Sequence, residues 1–284
     1  MGSRADISPL SRIMMRVDAV ADGKAPADAI STGFPSIDRA LGGGVRHGDL
    51  VVLGGDVGVG KSALALGMAL RASAAGHVVE LLTGEMGVDR VLERVLAIEG
   101  RATVDGIRQG TIDEATRASL GAAALRLRDT LPRVDRLPAS GAQAVAEEVR
   151  QLLDAQLVIV DSLQAIPAGT MPQAEEIALA VRLLKRVAME CGVAVIATAH
   201  LPALDREREN LRPRLDDFGA LGAVKQHADV VLGLYREEMY HPGPAHEGAT
   251  ELSVLKNRGG PTTYVDLYFY RQWLRFEDMV DPDR

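Results

Sequence analysis

The sequence predicts an α/β fold: a mostly parallel central sheet flanked by helices, with antiparallel strands along its late edge. Three features carry this expectation. Short apolar runs alternate with segments of helical periodicity from residue 50 to residue 199. Strand-like runs then follow one another with little helix between them, as antiparallel edge strands do. A glycine-rich loop joins the first apolar run to the first long helical run at residues 55–62.

In chain order, residues 1–8 read as a loose lead. Leu10, Ile13, Met14, Val17 and Val20 recur at helical spacing, and residues 22–29 read as a linker. A helix set apart in this way packs on its own domain or on a neighbouring subunit. Residues 1–30 are therefore expected to form a linker and helix segment, 31–278 one domain, and 279–284 a tail. Ser36 is the expected cap of a short helix that stops at Gly42 to Gly44. Strands are expected at 50–54, 77–83, near Val134, at 157–161 and at 193–198, with helices over 62–70, after Met86 through Arg94 and Leu96, and over 112–128, 142–153 and 172–190. A long polar loop covers 202–217, and the runs 228–235, 251–256 and 263–269 complete the sheet.

The chain has 284 residues, 47% hydrophobic and 25% charged, which suits a globular domain with a sizeable core. Its net charge of −7 gives no global basic field, so any nucleic-acid groove is local or formed on assembly. Cys191 is the single cysteine, which excludes an internal disulfide and a Cys-rich zinc site. No stretch approaches a membrane span and no signal-peptide core opens the chain, so the expected location is the cytoplasm.

The loop Gly55, Asp56, Val57, Gly58, Val59, Gly60, Lys61, Ser62, followed by Ala63, fits G-x-x-x-x-G-K-[ST]. The glycines let backbone N–H groups turn inward, and the helix that starts at Lys61 adds its positive dipole end. Lys61 can reach β- and γ-phosphates, and Ser62 can place a hydroxyl on Mg²⁺. These residues form a nucleotide-binding site. Asp161 ends an apolar strand and is suited to hold Mg²⁺ opposite Ser62. Glu85 also follows a strand end, where a carboxylate can orient or deprotonate an attacking water; the competing role is a helix-start glutamate. His200 follows another strand end and is a candidate reporter of γ-phosphate loss, or an ordinary structural histidine. Lys256 and Arg258 flank Asn257 at the end of a late strand, either as solvated hairpin cations or as charge supplied to a transferring phosphoryl group.

These pieces, in this order, resemble the motor domain of DnaB-type hexameric helicases of the RecA-like class, from Thr32 to Phe276. Glu85, Met86 and Arg94 resemble that family's Glu-Met pair and following arginine, and Asp161, Ser162, Leu163 and Gln164 its Walker B end. Arg212, Pro213, Asp217, Gly222 and the run Gln226 to Asp229 match a later motif. Tyr235 to Glu238 look like its next strand end. Lys256 to Pro261 resemble its arginine-finger motif, and Gln272 to Phe276 its C-terminal strand. The resemblance implies an Mg²⁺-dependent ATPase acting on single-stranded DNA in replication or a linked process. It also implies a homo-oligomer, a hexameric ring, in which Arg258 enters the neighbour's site.

The chain departs from the family in four ways. Thirty residues before Ser31 are too few for the globular N-terminal domain of replicative members, and Leu10 to Val20 fit their linker helix. His200 stands where those members have glutamine. Gly219 and Ala220 replace an Arg-Glu pair of the DNA-facing loop. Ser31, Thr32 and Gly33, the glycine run and Lys256 to Arg258 also resemble RadA and KaiC ATPases, so the alternative is a recombination or regulatory ATPase that does not unwind DNA. Arg206, Arg208, Arg212 and Arg214 are expected either to line a channel for single-stranded DNA or to pair with Asp205, Glu207 and Glu209.

Overall fold

The structure is a computed structural model that describes residues 8–24 and 29–279. The lead 1–7, most of the tail 279–284 and part of the linker therefore lie outside the described residues. The elements are α1 (Pro9–Ala21), β1 (Ala29–Ile30), α2 (Pro35–Ala40), β2 (Val45–Arg46), β3 (Leu50–Gly55), α3 (Lys61–Ala74), β4 (Val79–Thr83), α4 (Val88–Gly100), α5 (Val104–Gln109), α6 (Glu114–Leu127), β5 (Arg133–Arg136), α7 (Gly141–Gln151), β6 (Leu157–Asp161), α8 (Gln173–Cys191), β7 (Ala194–Ala199), α9 (Ala223–His227), β8 (Val230–Arg236), β9 (Ala249–Asn257), β10 (Thr263–Tyr270) and β11 (Arg275–Asp278).

Among the described residues, nine strands form the main sheet in the order β11-β10-β9-β8-β3-β7-β6-β4-β5. The six strands from β8 to β5 run parallel, and β9, β10 and β11 are antiparallel. Strands β3, β6 and β7 are buried along their whole length, which explains their unbroken apolar runs. Alternate residues serve opposite faces. Val51, Leu53, Ile159 and Ile196 pack with Leu64 and Met68 of α3. Val52, Val158, Val160 and Val195 pack with Val181 and Leu184 of α8. β9 is covered on one face only, and its burial alternates.

Two details differ from the sequence reading. Ser36 is not the cap of α2, which starts at Pro35 after Phe34. Its hydroxyl donates instead to Asp278, while Asp38 accepts from Ser31 Oγ and Thr32 Oγ1, at 2.5 and 2.8 Å, to shape the turn. The region before residue 112 also contains α5, capped by Thr103 accepting from the Gly106 N–H at 3.0 Å. Six residues are too short a window for helical periodicity to register.

α1 carries Pro at its start and a Ser8 cap, and its apolar residues Leu10, Ile13, Met14, Val17 and Val20 are exposed. No described helix is long and apolar enough to cross a membrane.

Candidate active site

The C-terminal ends of β3, β4, β6 and β7 point the same way, and the glycine-rich loop leaves from the end of β3. Gly55 has no room for a side chain, since a Cβ there would lie 2.8 Å from the Leu234 carbonyl oxygen. Gly60 turns the chain into α3 at φ 110°, a conformation open to glycine. The Lys61 side chain is buried and folds back over the loop. Its Nζ donates to the carbonyl oxygens of Gly55 at 3.1 Å and Asp56 at 2.9 Å. Burial lowers the Lys61 pKa, while Glu85, Asp161 and Asp56 act in the opposite direction.

Neighbouring strands bring the other groups to Lys61. Ser62 Oγ donates to Asp161 Oδ1 at 2.9 Å, and Thr198 Oγ1 donates to the same oxygen at 2.5 Å. Asp161 is buried, and burial raises its pKa. A buried carboxylate served by hydroxyl groups is the kind of site that a divalent cation stabilises, so these residues fit Mg²⁺.

Glu85 sits two residues past the end of β4, next to Asp161. The Gly84 N–H donates to the Asp161 carbonyl oxygen at 2.7 Å, and Ser162 Oγ donates to Glu85 Oε1 at 2.5 Å. His200 Nε2 is 3.1 Å from the same Glu85 oxygen, and His200 Nδ1 is 3.5 Å from Lys61 Nζ. The His200 N–H is fixed by Gln164 Oε1 at 2.9 Å. Burial pushes the Glu85 pKa up, but hydrogen bonds from Ser162 and His200 and the nearby positive charge outweigh it, so the carboxyl ends below its ordinary value. A cavity of about 390 Å³ opens beside Glu85 and is lined in part by Arg136 and Leu137.

Lys256 and Arg258 are not in this cluster. Lys256 Nζ donates to the carbonyl oxygens of Ala228 at 2.6 Å and Lys225 at 2.8 Å. Arg258 pairs with Asp229, which also accepts from the Leu50 N–H at 2.9 Å and pairs with Lys185 at 2.6 Å. Leu50 starts β3 and Gly55 ends it, so Arg258 stands about one strand length, roughly 17 Å, from its own loop.

The polar loop departs from the local pairing expected of it. Its arginines do not pair with Asp205, Glu207 or Glu209 beside them. Arg206 pairs with Asp56, Arg208 with Asp217, and Arg212 with Glu251 at 2.8 Å. Planar guanidinium groups reach past flexible neighbours to carboxylates fixed elsewhere in the fold. Arg214 is exposed. Gly219, Ala220 and Leu221 all have positive φ, and Leu221 is exposed.

Sequence reading gave no role to Thr198 or Tyr240, nor a loop contact to Arg236. Tyr240 donates to Asp56 at 3.0 Å, and Arg236 donates to the carbonyl oxygens of Gly58 and Val59 at 3.4 and 3.5 Å. The Tyr240 and Arg236 contacts span more than a hundred residues of chain and the Thr198 contact 37, so no local spacing signals them.

A model of the DnaB-like helicase C-terminal domain matches residues 29–278. The replicative DNA helicase DnaB of Leifsonia xyli is 31% identical over 258 residues, covering 88% of this chain and 56% of that protein. The replicative DNA helicase DnaC of Bacillus subtilis is 27% identical over 270 residues, covering 93% of this chain and 59% of that protein. The chain thus spans little more than half the length of these relatives. A solved structure of a DnaB-like replicative helicase, described with its interactions with primase, superposes with a TM-score of 0.86 at 24% identity, covering 99% of this chain and 68% of that one. A solved ATPase domain gives 0.85 at 24% identity, covering 97% of this chain and all of that one. The fold is therefore RecA-like, with a mostly parallel sheet and antiparallel edge strands. With 29–278 matched as one domain, this chain belongs to the DnaB-like helicase C-terminal domain family.

Proposed function

We propose that this chain is the ATP-hydrolysing motor of a DnaB-like DNA helicase, acting in the cytoplasm on single-stranded DNA in replication or a linked process. The observation that carries the reading is the convergence of Lys61, Ser62, Glu85, Asp161 and His200 at one end of the parallel sheet. Ligands of open α/β sheets bind at such an edge.

Ser62 and Asp161 would hold Mg²⁺, which when bound neutralises phosphate charge. Lys61 exchanges its two carbonyl partners for β- and γ-phosphate oxygens. Glu85, ionised at neutral pH, orients a water and accepts its proton. His200 bridges Glu85 and Lys61, so it is placed to pass the loss of the γ-phosphate to the loop that follows it. Arg258 lies too far from its own loop to act there, which supports a role at the neighbour's site in a hexameric ring. The exposed apolar residues of α1 suit docking on the adjacent protomer. The 31–278 boundary of the motor belongs to the same reading.

The test is Lys61→Ala. It should abolish hydrolysis and most Mg·ATP binding, because Lys61 is the cation that serves the β/γ position. Isothermal titration with unchanged ATP affinity would remove the loop from the mechanism. ATPase rates with and without single-stranded DNA, measured alongside native mass, test the DNA and ring parts.

A further inference from the structure

The glycine-rich loop carries a negative charge at Asp56, in the stretch that must receive a polyanion. Its carboxylate is largely buried and fully engaged. Oδ1 accepts from the Val57 N–H at 2.7 Å and from Arg206 Nη2 at 2.8 Å. Oδ2 accepts from Arg206 Nη1 at 2.9 Å and from Tyr240 Oη at 3.0 Å. Tyr240 is itself braced by stacking on Tyr235, with ring centroids 5.3 Å apart. The Asp56 carbonyl oxygen holds Lys61 Nζ, so this charge sits beside the phosphate-directed ammonium. The hydrogen bonds from Arg206 keep the Asp56 carboxyl below its ordinary pKa, and the charge is present at neutral pH.

Arg206 comes from the polar loop that follows His200, 150 residues from Asp56. Its side chain is 64% exposed, so little packing explains its position, and the bidentate contact with Asp56 accounts for it. An unpaired Asp56 would repel phosphate.

We propose that Arg206 is a positioning residue for nucleotide binding: it cancels the charge of Asp56 and, with Tyr240, fixes that carboxylate in place beside the phosphate cradle. This rests on the nucleotide-binding reading of the loop. It also ties the loop after His200 to the phosphate site by a second route, independent of the histidine.

The experiment is a charge cycle in the full chain, read as affinity for a fluorescent ATP analogue with Mg²⁺. Arg206→Ala should weaken binding about ten-fold or more, and Arg206→Lys should keep most of the affinity. The gain in affinity from Asp56→Asn should be smaller in the parent, where Arg206 already offsets the charge, than in the Arg206→Ala background. The double variant Asp56→Asn/Arg206→Ala should bind more tightly than Arg206→Ala, because it removes the charge that Arg206 had compensated. A simple loop anchor predicts no such recovery, and a direct Arg206–phosphate contact predicts the same gain from Asp56→Asn with or without Arg206, which would equally overturn the proposal. A double variant no tighter than Arg206→Ala therefore overturns the proposal, as does Arg206→Ala within two-fold of the parent. If Arg206→Ala melts below the assay temperature, Arg206→Gln reads the same cycle. Failure of the parent to bind, or equal binding by Lys61→Ala, counts against the nucleotide site itself and not only against Arg206.

Discussion

The Arg258 guanidinium stands 3.0 Å from the Asp229 carboxylate, at the end of β3 opposite the glycine-rich loop. Asp229 is buried and shared with Lys185, while the Arg258 side chain is 56% exposed. Arg258 is thus held at the surface by a fixed anchor, and in the proposed ring it would exchange Asp229 for a phosphate on another protomer. Arg258→Ala should keep Mg·ATP binding and lose turnover, since it removes charge stabilisation specific to the transition state. A Lys61→Ala subunit retains its own Arg258, and an Arg258→Ala subunit retains its own loop. Mixed under subunit exchange, the two inactive proteins should regain part of the activity. No recovery despite proven co-assembly would end the trans role.

Glu85 offers a cleaner test of chemistry. Glu85→Gln keeps the shape and the contacts to Ser162 and His200 but removes the base, so nucleotide should still bind while turnover falls about 10²-fold or more. Because the Glu85 pKa lies below its ordinary value, the base is ionised above that range and protonates only as pH falls through it. The part of any acid loss of kcat that comes from Glu85 should therefore lie below the ordinary glutamate range. Turnover within a few-fold of the parent would make Glu85 a helix-start residue.

Arg208 tests the polar loop. It grips Asp217 with two hydrogen bonds of 2.7 Å and also donates to the Arg212 carbonyl oxygen at 2.5 Å, and both ion-pair partners are largely buried. Arg208→Ala leaves a buried carboxylate without its partner, which should cost about 3 kcal/mol in urea unfolding. Arg214→Ala, at an exposed position, should leave stability within about 0.5 kcal/mol. If it lowers the salt dependence of single-stranded DNA binding, the loop contacts phosphate. Equal stability of Arg208→Ala and the parent would contradict the buried pairing.

Glu80 gives a pH signature of the fold. It is buried in β4, 2.9 Å from Arg133, and burial followed by its contact with Asp135 raises its pKa to about 7. The folded value lies above the unfolded one, so its contribution to stability is complete below about pH 4.5 and is lost as pH rises through 7. Glu80→Gln should therefore melt roughly 2–4 °C above the parent at about pH 8, with a smaller gap near pH 5. A gap that grows on acidification would have the wrong sign.

By itself the sequence determined the elements whose signals are local. Lys61 and Ser62 adjoin their glycines, and Asp161 ends its own apolar run, so each is signalled by the residues beside it. The order of matching motifs was legible for the same reason, as was the antiparallel edge that follows β8. Contacts between distant stretches were settled only by the tertiary structure. It placed His200 on Glu85, Thr198 on Asp161 and Arg206 on Asp56, and it sent Lys256 and Arg258 to the far end of β3. Helical periodicity and strand alternation report which face of an element is buried, not which element lies opposite. A long arginine or lysine can reach any of several carboxylates, and the packed sheet decides which of them stands within 3 Å.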